Sequence, residues 1–167
     1  MADMEYRPAE EHDLEAICGL VRSAIAEMEN NEIFQWDDVY PSKYDFLEDI
    51  KKGHLFVGVL DGDISVVFAV NKEYDAQYGN GSWKYPDSEY RVIHRLCVSP
   101  KHQHKGIAGK TLAHIEKALL KGGVEAIRLD VFCGNPFALS LYRDRGYEEV
   151  GAAEWRKGRF LLMEKHL

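Results

Sequence analysis

Residues 98–111 carry the clearest chemical potential in this sequence. The segment reads VSPKHQHKGIAGKT and lies where a β-rich run passes into an amphipathic run with helical spacing. The first turn of a helix leaves backbone N–H groups unpaired and carries partial positive charge, and small residues there let an anion reach the backbone. Lysine and histidine side chains in the segment add positive charge. The segment therefore indicates a binding site for a diphosphate.

Two common phosphate-binding motifs do not fit this segment. The run Gly109-Lys110-Thr111 resembles the end of a Walker A loop, but the first glycine of that motif would fall at position 104, which is His104. A dinucleotide-fold fingerprint that starts at Gly106 would place Ala108 and Thr111 at its other two glycine positions. Both motif assignments are therefore weak.

The pattern of apolar residues predicts the elements that position this segment. Asp13 is an expected N-cap for a first helix, and Asp61-Gly62 predicts a hairpin turn. Because a parallel strand pair needs a connection about as long as a helix, residues 90–98 and 126–132 are expected to be parallel. Strands are predicted at 4–7, 55–60, 64–71, 90–98, 126–132, 147–150 and 160–164, and helices at 13–28, 43–52, 106–121 and 136–144. The sequence thus predicts an α/β fold with a mixed, mostly antiparallel sheet of six to seven strands flanked by helices.

Composition limits the class of protein. The chain has 167 residues, 46% of them apolar, which predicts one domain over residues 1–167. The net charge of −7 argues against nonspecific binding to nucleic acid or acidic membranes. No apolar run is long enough to cross a bilayer. The cysteines, Cys18, Cys97 and Cys133, are widely spaced, which favours a reducing, cytoplasmic location.

The segment 103–108 (QHKGIA) resembles the acyl-coenzyme A loop of the GNAT acetyltransferase superfamily, Gln/Arg-x-x-Gly-x-Gly/Ala. The resemblance continues on both sides of the loop. Residues 94–100 (HRLCVSP) are similar to the family's fourth strand, and residues 129–131 (LDV) are similar to its fifth. The run Asn135-Pro136-x-Ala138-x-x-x-Tyr142-x-x-x-Gly146-Tyr147 is similar to the helix and turn that follow.

The resemblance implies a binding mode for acetyl-coenzyme A as the acyl donor. In the family the fourth and fifth strands splay apart to hold the pantetheine arm, and the pyrophosphate lies on the backbone of the loop. The Asn135 side chain would contact pantetheine or cap its own helix. The cofactor-binding residues that the resemblance implies are Leu96, Cys97, Val98, Gln103, His104, Lys105, Gly106, Ile107, Ala108, Gly109, Lys110, Asn135 and Tyr142.

The implied reaction is direct transfer of an acetyl group to an amine, and it needs an acid and a base. Tyr142 is the expected acid because a phenol is protonated at neutral pH, although spacing alone also fits a core aromatic. His94 is the expected base, with a buried core histidine as the alternative and Asp130 as a weaker candidate. Cys97 in a strand is read as a small buried apolar side chain rather than a nucleophile. No metal is expected, since His102-x-His104 offers only two ligands.

The expected acceptor is a primary amine of a small molecule or a peptide. Trp36, Tyr40 and Trp83 lie in loops rich in aromatic and acidic residues, which suit a cation, although Trp36 and Tyr40 could equally pack their loop onto the first helix. A noncatalytic coenzyme A-binding or sensing module is the alternative from another class of protein. The sequence leaves monomer and homodimer open.

Overall fold

A computed structural model of the chain describes residues 3–167. Over this range the strands are β1 (Glu5–Pro8), β2 (Leu55–Leu60), β3 (Asp63–Asn71), β4 (Tyr90–Val98), β5 (Ala126–Phe132), β6 (Glu148–Trp155) and β7 (Gly158–His166). The α-helices are α1 (Leu14–Asn30), α2 (Lys43–Lys51), α3 (Ile107–Lys121) and α4 (Pro136–Asp144). Short 3-10 helices cover Glu11–Asp13, Ala76–Asn80 and Pro100–His102.

Within residues 3–167, seven strands form one sheet in the order β1-β2-β3-β4-β5-β7-β6. Strands β4 and β5 are parallel. The pairs β1/β2, β2/β3, β5/β7 and β6/β7 are antiparallel. The structure therefore confirms the predicted mixed, mostly antiparallel sheet flanked by helices.

The described residues divide into two compact units. The first contains residues 3–70 and 95–111, and the second contains residues 71–94 and 112–167. Strand β4 and helix α3 each contribute to both units. One domain over residues 1–167 stays a prediction.

The core of the first unit is built on α1. The buried face of α1 carries Leu14, Ile17, Leu20, Val21 and Ala24, at the three- and four-residue spacings of a helical stripe. Cys18, Ile25 and Met28, which the sequence places on the same stripe, are partly buried beside them. The opposing residues come from β2, β3 and α2 and include Leu55, Val57, Val67 and Phe46. Burial of this stripe supplies the main driving force for packing α1.

Asp13 precedes α1 as predicted, but its side chain does not cap that helix. Its carboxylate accepts hydrogen bonds from Arg7 Nη1 and Nη2 at 2.8 and 2.9 Å and from the Glu10 N–H at 2.8 Å. The hydrogen bonds from Arg7 hold the pKa of Asp13 below its ordinary value. The carboxylate thus ties β1 to the turn before α1, because a charged donor attracts it more strongly than a neutral N–H.

The hairpin between β2 and β3 has the predicted turn. Asp61 and Gly62 have φ values of 51° and 82°, both in the left-handed region. Two left-handed residues between paired Leu60 and Asp63 match the twist of the flanking strands, as in a type I′ turn. The local sequence is sufficient for this element.

Strands β6 and β7 are longer than predicted. The sequence predicts strands at 147–150 and 160–164, whereas pairing extends from Glu148↔Glu164 to Trp155↔Gly158. Ala152, Ala153 and Glu154 have little intrinsic preference for a strand. Pairing with β7 holds them extended, so the tertiary structure overrides local propensity.

A buried carboxylate joins three elements of the second unit. Glu116 of α3 accepts hydrogen bonds from Arg145 Nη2 at 2.6 Å, from Lys165 Nζ at 2.9 Å and from the Tyr147 hydroxyl at 3.0 Å. Burial alone would raise the pKa of Glu116, but these hydrogen bonds and the Lys165 charge keep it below the ordinary value. Glu116 thereby fixes the end of α4 and strand β7 against α3.

We expect Glu116→Gln to lower the free energy of unfolding by about 2 kcal/mol at pH 7, since it leaves two cationic partners without a counter-charge. Because the pKa of Glu116 is lower in the folded state, its contribution is present above the ordinary value of 4.5 and is lost as the pH falls below it. Urea unfolding at pH 7 and at lower pH measures the difference. Glu15→Gln, at an exposed site on α1, is the control. Equal midpoints for the wild-type and Glu116→Gln proteins at pH 7 would contradict the prediction.

Candidate active site

The loop from β4 to α3 makes a compact turn. The Ser99 N–H donates to the Ser65 carbonyl oxygen at 2.7 Å, which anchors the start of the loop on β3. His104 and Gly106 then adopt left-handed φ values of 63° and 73°. Helix α3 begins directly afterwards at Ile107. The loop therefore leads directly from Gly106 into the first turn of α3.

The start of α3 presents open backbone. A Cβ atom added at Gly106 or Gly109 would meet no heavy atom within 4 Å. The first N–H groups of a helix have no acceptor within the helix, and their dipoles favour an anion. The exposed side chains of Lys101, Lys105 and Lys110 add positive charge. Open space, free donors and positive charge fit the diphosphate of coenzyme A.

Strand β4 contains a local change of backbone direction. Residues 90–92 pair in parallel with residues 126–128 of β5. Arg95 then adopts a φ of 54°, which is uncommon for a residue with a Cβ atom. Residues 96–98, whose backbone is predicted to bind pantetheine, come directly after this left-handed residue.

Cys97 points into the core of the first unit. Burial raises the pKa of its thiol to about 12. A thiol is nucleophilic as the thiolate, so this cysteine is unreactive at neutral pH. The geometry supports its interpretation as a small buried apolar side chain.

Tyr142 is buried on α4, in the second unit. Its ring meets the Tyr147 ring edge to face, with 5.5 Å between centroids. Burial, and secondly the negative charge of Asp130, raise the pKa of the Tyr142 phenol. The phenol is therefore fully protonated at neutral pH, as a proton donor must be.

Asp130 lies on β5, and its negative charge acts on the Tyr142 phenol. Its Oδ2 accepts a hydrogen bond from the Tyr78 hydroxyl at 2.8 Å. The Tyr78 ring stacks against Tyr74 and Trp83, with centroids 5.7 and 5.5 Å away. The structure thus brings Asp130, Tyr142 and the predicted acceptor residue Trp83 into one unit.

His94 is held by two acceptors. Its Nε2 lies 2.8 Å from Asn71 Oδ1 and 2.9 Å from the Glu73 carbonyl oxygen. Because both partners accept, Nε2 carries the proton, and a neutral His94 has its lone pair on Nδ1. If His94 acts as a base, Nδ1 is the atom that takes the proton.

Asn135 caps helix α4. Its Oδ1 accepts a hydrogen bond from the Ala138 N–H at 3.1 Å, and Pro136 occupies the first helical position. The capping alternative is therefore observed. Contact of the Asn135 side chain with pantetheine stays a prediction.

The predicted acceptor residues differ in their surroundings. Trp36 is buried in the core of the first unit. Tyr40 is 39% exposed, in the loop before α2. In the second unit, the Trp83 indole N–H donates to the Tyr78 carbonyl oxygen at 2.9 Å, and the Arg128 guanidinium lies 4.7 Å from its ring centroid. Of the two residues in the first unit, Tyr40 has more surface for a ligand.

Sequence reasoning missed Arg95. Its guanidinium donates to both carboxylate oxygens of Asp49 and to the Tyr40 hydroxyl, at 2.7 to 2.9 Å. These partners lie 46 and 55 residues away along the chain. No local pattern predicts such contacts, and Arg95 alone offers no motif.

The described residues offer neither a metal-binding cluster nor a membrane-spanning helix. Among residues 3–167, no group of three or more histidine, cysteine, aspartate or glutamate side chains is arranged to hold a metal ion. Over the same part of the chain, no helix combines the length and apolar character needed to span a membrane.

Comparison with known proteins establishes the class. The sequence model of the acetyltransferase (GNAT) family matches residues 22–147. The chain therefore belongs to the GNAT acetyltransferase family, as the resemblance predicted.

Particular relatives agree with this assignment. The chain is 29% identical over 148 residues to the uncharacterized N-acetyltransferase YesJ of Bacillus subtilis, covering 87% of this chain and 82% of YesJ. A GNAT-family acetyltransferase from Streptococcus agalactiae has a similar fold, with a TM-score of 0.84 and 24% identity over 98% of this chain and 95% of that chain. The PaiA N-acetyltransferase of Thermoplasma acidophilum, solved with coenzyme A, has a TM-score of 0.71 and 20% identity over 99% of both chains.

Proposed function

We propose that this protein is an acetyl-coenzyme A-dependent N-acetyltransferase that moves an acetyl group directly to a primary amine. The observation that carries the proposal is the open backbone of the turn at residues 104–109, where glycine positions face empty space and a helix begins. This cradle suits the diphosphate, and membership of the GNAT family supports acetyl transfer.

Each step of the proposed reaction is assigned to groups of this chain. Backbone N–H groups of residues 103–109 bind the diphosphate, and backbone groups of 96–98 orient the pantetheine arm. A backbone N–H near Cys97 or Val98 stabilises the charge that develops on the carbonyl oxygen. Tyr142 donates a proton to the leaving sulfur. Bound acetyl-coenzyme A supplies the thioester that the amine attacks.

His94 and Asp130 are the two candidates for the base that takes a proton from the attacking ammonium. The charge of Asp130 contributes to the raised pKa of Tyr142. Protonation of Asp130 would therefore make Tyr142 a better acid at the moment when the sulfur needs a proton. We propose Asp130 ahead of His94, the base expected from the sequence, because the charge of Asp130 acts on the proposed acid.

We expect Asp130→Asn to lower kcat/KM for the amine by about 100-fold or more and His94→Gln to lower it by less than tenfold, because general-base catalysis is worth about 10²–10⁴. Steady-state rates with saturating acetyl-coenzyme A measure both effects. The reverse order of effects would assign the base to His94.

Release of coenzyme A tests the proposed function. Calorimetry first measures the binding of acetyl-coenzyme A. A thiol reagent then detects coenzyme A release over a panel of primary amines that includes spermidine, tyramine, an aminoglycoside and alanyl-alanine. Binding without release for any amine would favour the noncatalytic coenzyme A-binding module, and absence of binding would refute both functions.

We also propose a cytoplasmic location for the protein. The three cysteines are free, which supports a reducing, cytoplasmic compartment. The net charge of −7 supports a small or peptide partner rather than nucleic acid. A homodimer stays a prediction.

A further inference from the structure

Arg95 occupies an unusual place in the first unit. Its backbone has the left-handed φ of 54° within strand β4, a conformation that a residue with a Cβ atom adopts only where its surroundings require it. Its side chain is 13% exposed. A largely buried arginine must have partners for its charge, and the contacts of the guanidinium supply them.

The guanidinium of Arg95 joins two other elements. Nε and Nη2 donate to Oδ2 and Oδ1 of Asp49, on α2, at 2.8 and 2.7 Å. Nη1 donates to the Tyr40 hydroxyl, in the loop between α1 and α2, at 2.9 Å. The Asp49 side chain is itself only 5% exposed. A two-pronged pair of this kind fixes direction as well as distance.

The loop that Tyr40 belongs to is braced within itself. Asp37 Oδ1 accepts hydrogen bonds from the Val39 and Tyr40 N–H groups at 3.0 and 3.1 Å. The Asp37 N–H in turn donates to the Tyr40 carbonyl oxygen at 3.1 Å. Trp36, next to Asp37, is buried in the core. The segment 36–40 is therefore internally hydrogen-bonded, so that a bond at Tyr40 helps to position it.

We propose that Arg95 is a positioning residue that holds the loop at 36–40 against strand β4 and thereby places the acceptor amine. The inference rests on the proposed function, in which residues 96–98 orient the pantetheine arm, and on the prediction from the sequence that Tyr40 contacts the acceptor. The Arg95 side chain then links strand β4, which orients the acetyl donor, to the loop at 36–40, which contacts the acceptor. Lysine cannot replace it, because a single ammonium cannot make the two-pronged contact and reach Tyr40.

Two substitutions test the proposal. Tyr40→Phe removes one hydroxyl from a partly exposed ring, and Arg95→Lys keeps the charge. Arg91→Lys is the matched control, since Arg91 lies on the same strand and pairs with Glu89 at 2.6 Å instead. The probes are acetyl-coenzyme A for binding, and spermidine, tyramine and alanyl-alanine as acceptors. Hydrogen exchange of the Val39 and Tyr40 amides reports on the loop directly.

We expect Tyr40→Phe to raise KM for the amine about fivefold, and Arg95→Lys to raise it about tenfold and lower kcat about tenfold. The Kd for acetyl-coenzyme A should change less than twofold in both. The Val39 and Tyr40 amides should exchange faster in both variants, and Arg91→Lys should match the wild-type protein throughout.

Unchanged amine kinetics and unchanged exchange in Tyr40→Phe and Arg95→Lys would overturn the proposal. A fall in thermal stability with no change in the amine KM would overturn it as well, because that result describes a purely structural residue. If the wild-type protein acetylates none of the three amines, the kinetic result counts against the proposed function. The exchange comparison still decides whether Arg95 holds the loop. If the Arg95→Lys protein does not fold, the kinetics and hydrogen exchange of Tyr40→Phe alone decide whether the proposal holds.

Discussion

A Tyr142→Phe variant is expected to turn acetyl-coenzyme A over about 100-fold more slowly or worse, the usual cost of losing a general acid, and to weaken its binding far less. The substitution removes one oxygen from a buried ring and leaves the ring contacts in place. The Tyr142 phenol is held protonated by burial and by the charge of Asp130. Loss of the Tyr142 hydroxyl should therefore slow proton transfer to the leaving sulfur more than it weakens the binding of the donor.

Tyr147→Phe is the matched control for this experiment. Tyr147 is also buried, contacts the Tyr142 ring and donates its hydroxyl to Glu116 at 3.0 Å. Its loss should cost about 1 kcal/mol of stability and leave turnover unchanged. Calorimetry gives Kd and stopped-time coenzyme A release gives kcat. A kcat for Tyr142→Phe within threefold of the wild-type value would exclude Tyr142 as the acid.

The second large effect is expected at the start of α3. Ala108→Asp should weaken the binding of acetyl-coenzyme A by about 100-fold, because the new carboxylate faces the diphosphate. A pair of like charges 4 Å apart near a protein surface repels by about 4 kcal/mol. The same carboxylate lies in the first turn of a helix, where negative charge is favourable. The thermal midpoint should therefore stay the same or rise, which separates loss of binding from loss of folding.

Ala113→Asp supplies the matched comparison. Ala113 is exposed on the same helix but lies beyond its first turn, so the same chemical change there should alter Kd by less than threefold. The loss of affinity in Ala108→Asp should become smaller as the ionic strength rises, since salt screens the repulsion. Equal affinities for the two variants would mean that the diphosphate does not bind at the start of α3.

Much of this site could be predicted from the sequence because its signals are local. The Gly106 turn, the start of α3 and the Asn135-Pro136 start of α4 each depend on residues within a few positions of one another. Their backbone preferences act before any tertiary contact forms. The same holds for the Asp61-Gly62 hairpin, whose two left-handed residues fix the pairing of Leu60 with Asp63 next to the turn.

Other features were decided only when distant segments packed together. Pairing with β7 extends β6 through Ala152 and Ala153, against their weak strand preference. The Asp13 carboxylate pairs with Arg7 instead of capping α1, because a charged donor attracts it more strongly than a neutral one. Neither result follows from spacing along the chain.

The sequence by itself determined the order of helices and strands, the turn before α3 and the family, since each depends on residues that are close together along the chain. Only the tertiary structure decided which groups face one another: Arg95 with Asp49 and Tyr40, and Asp130 with Tyr78. Such contacts depend on desolvation and charge pairing between segments dozens of residues apart, and periodicity along the chain carries no information about them.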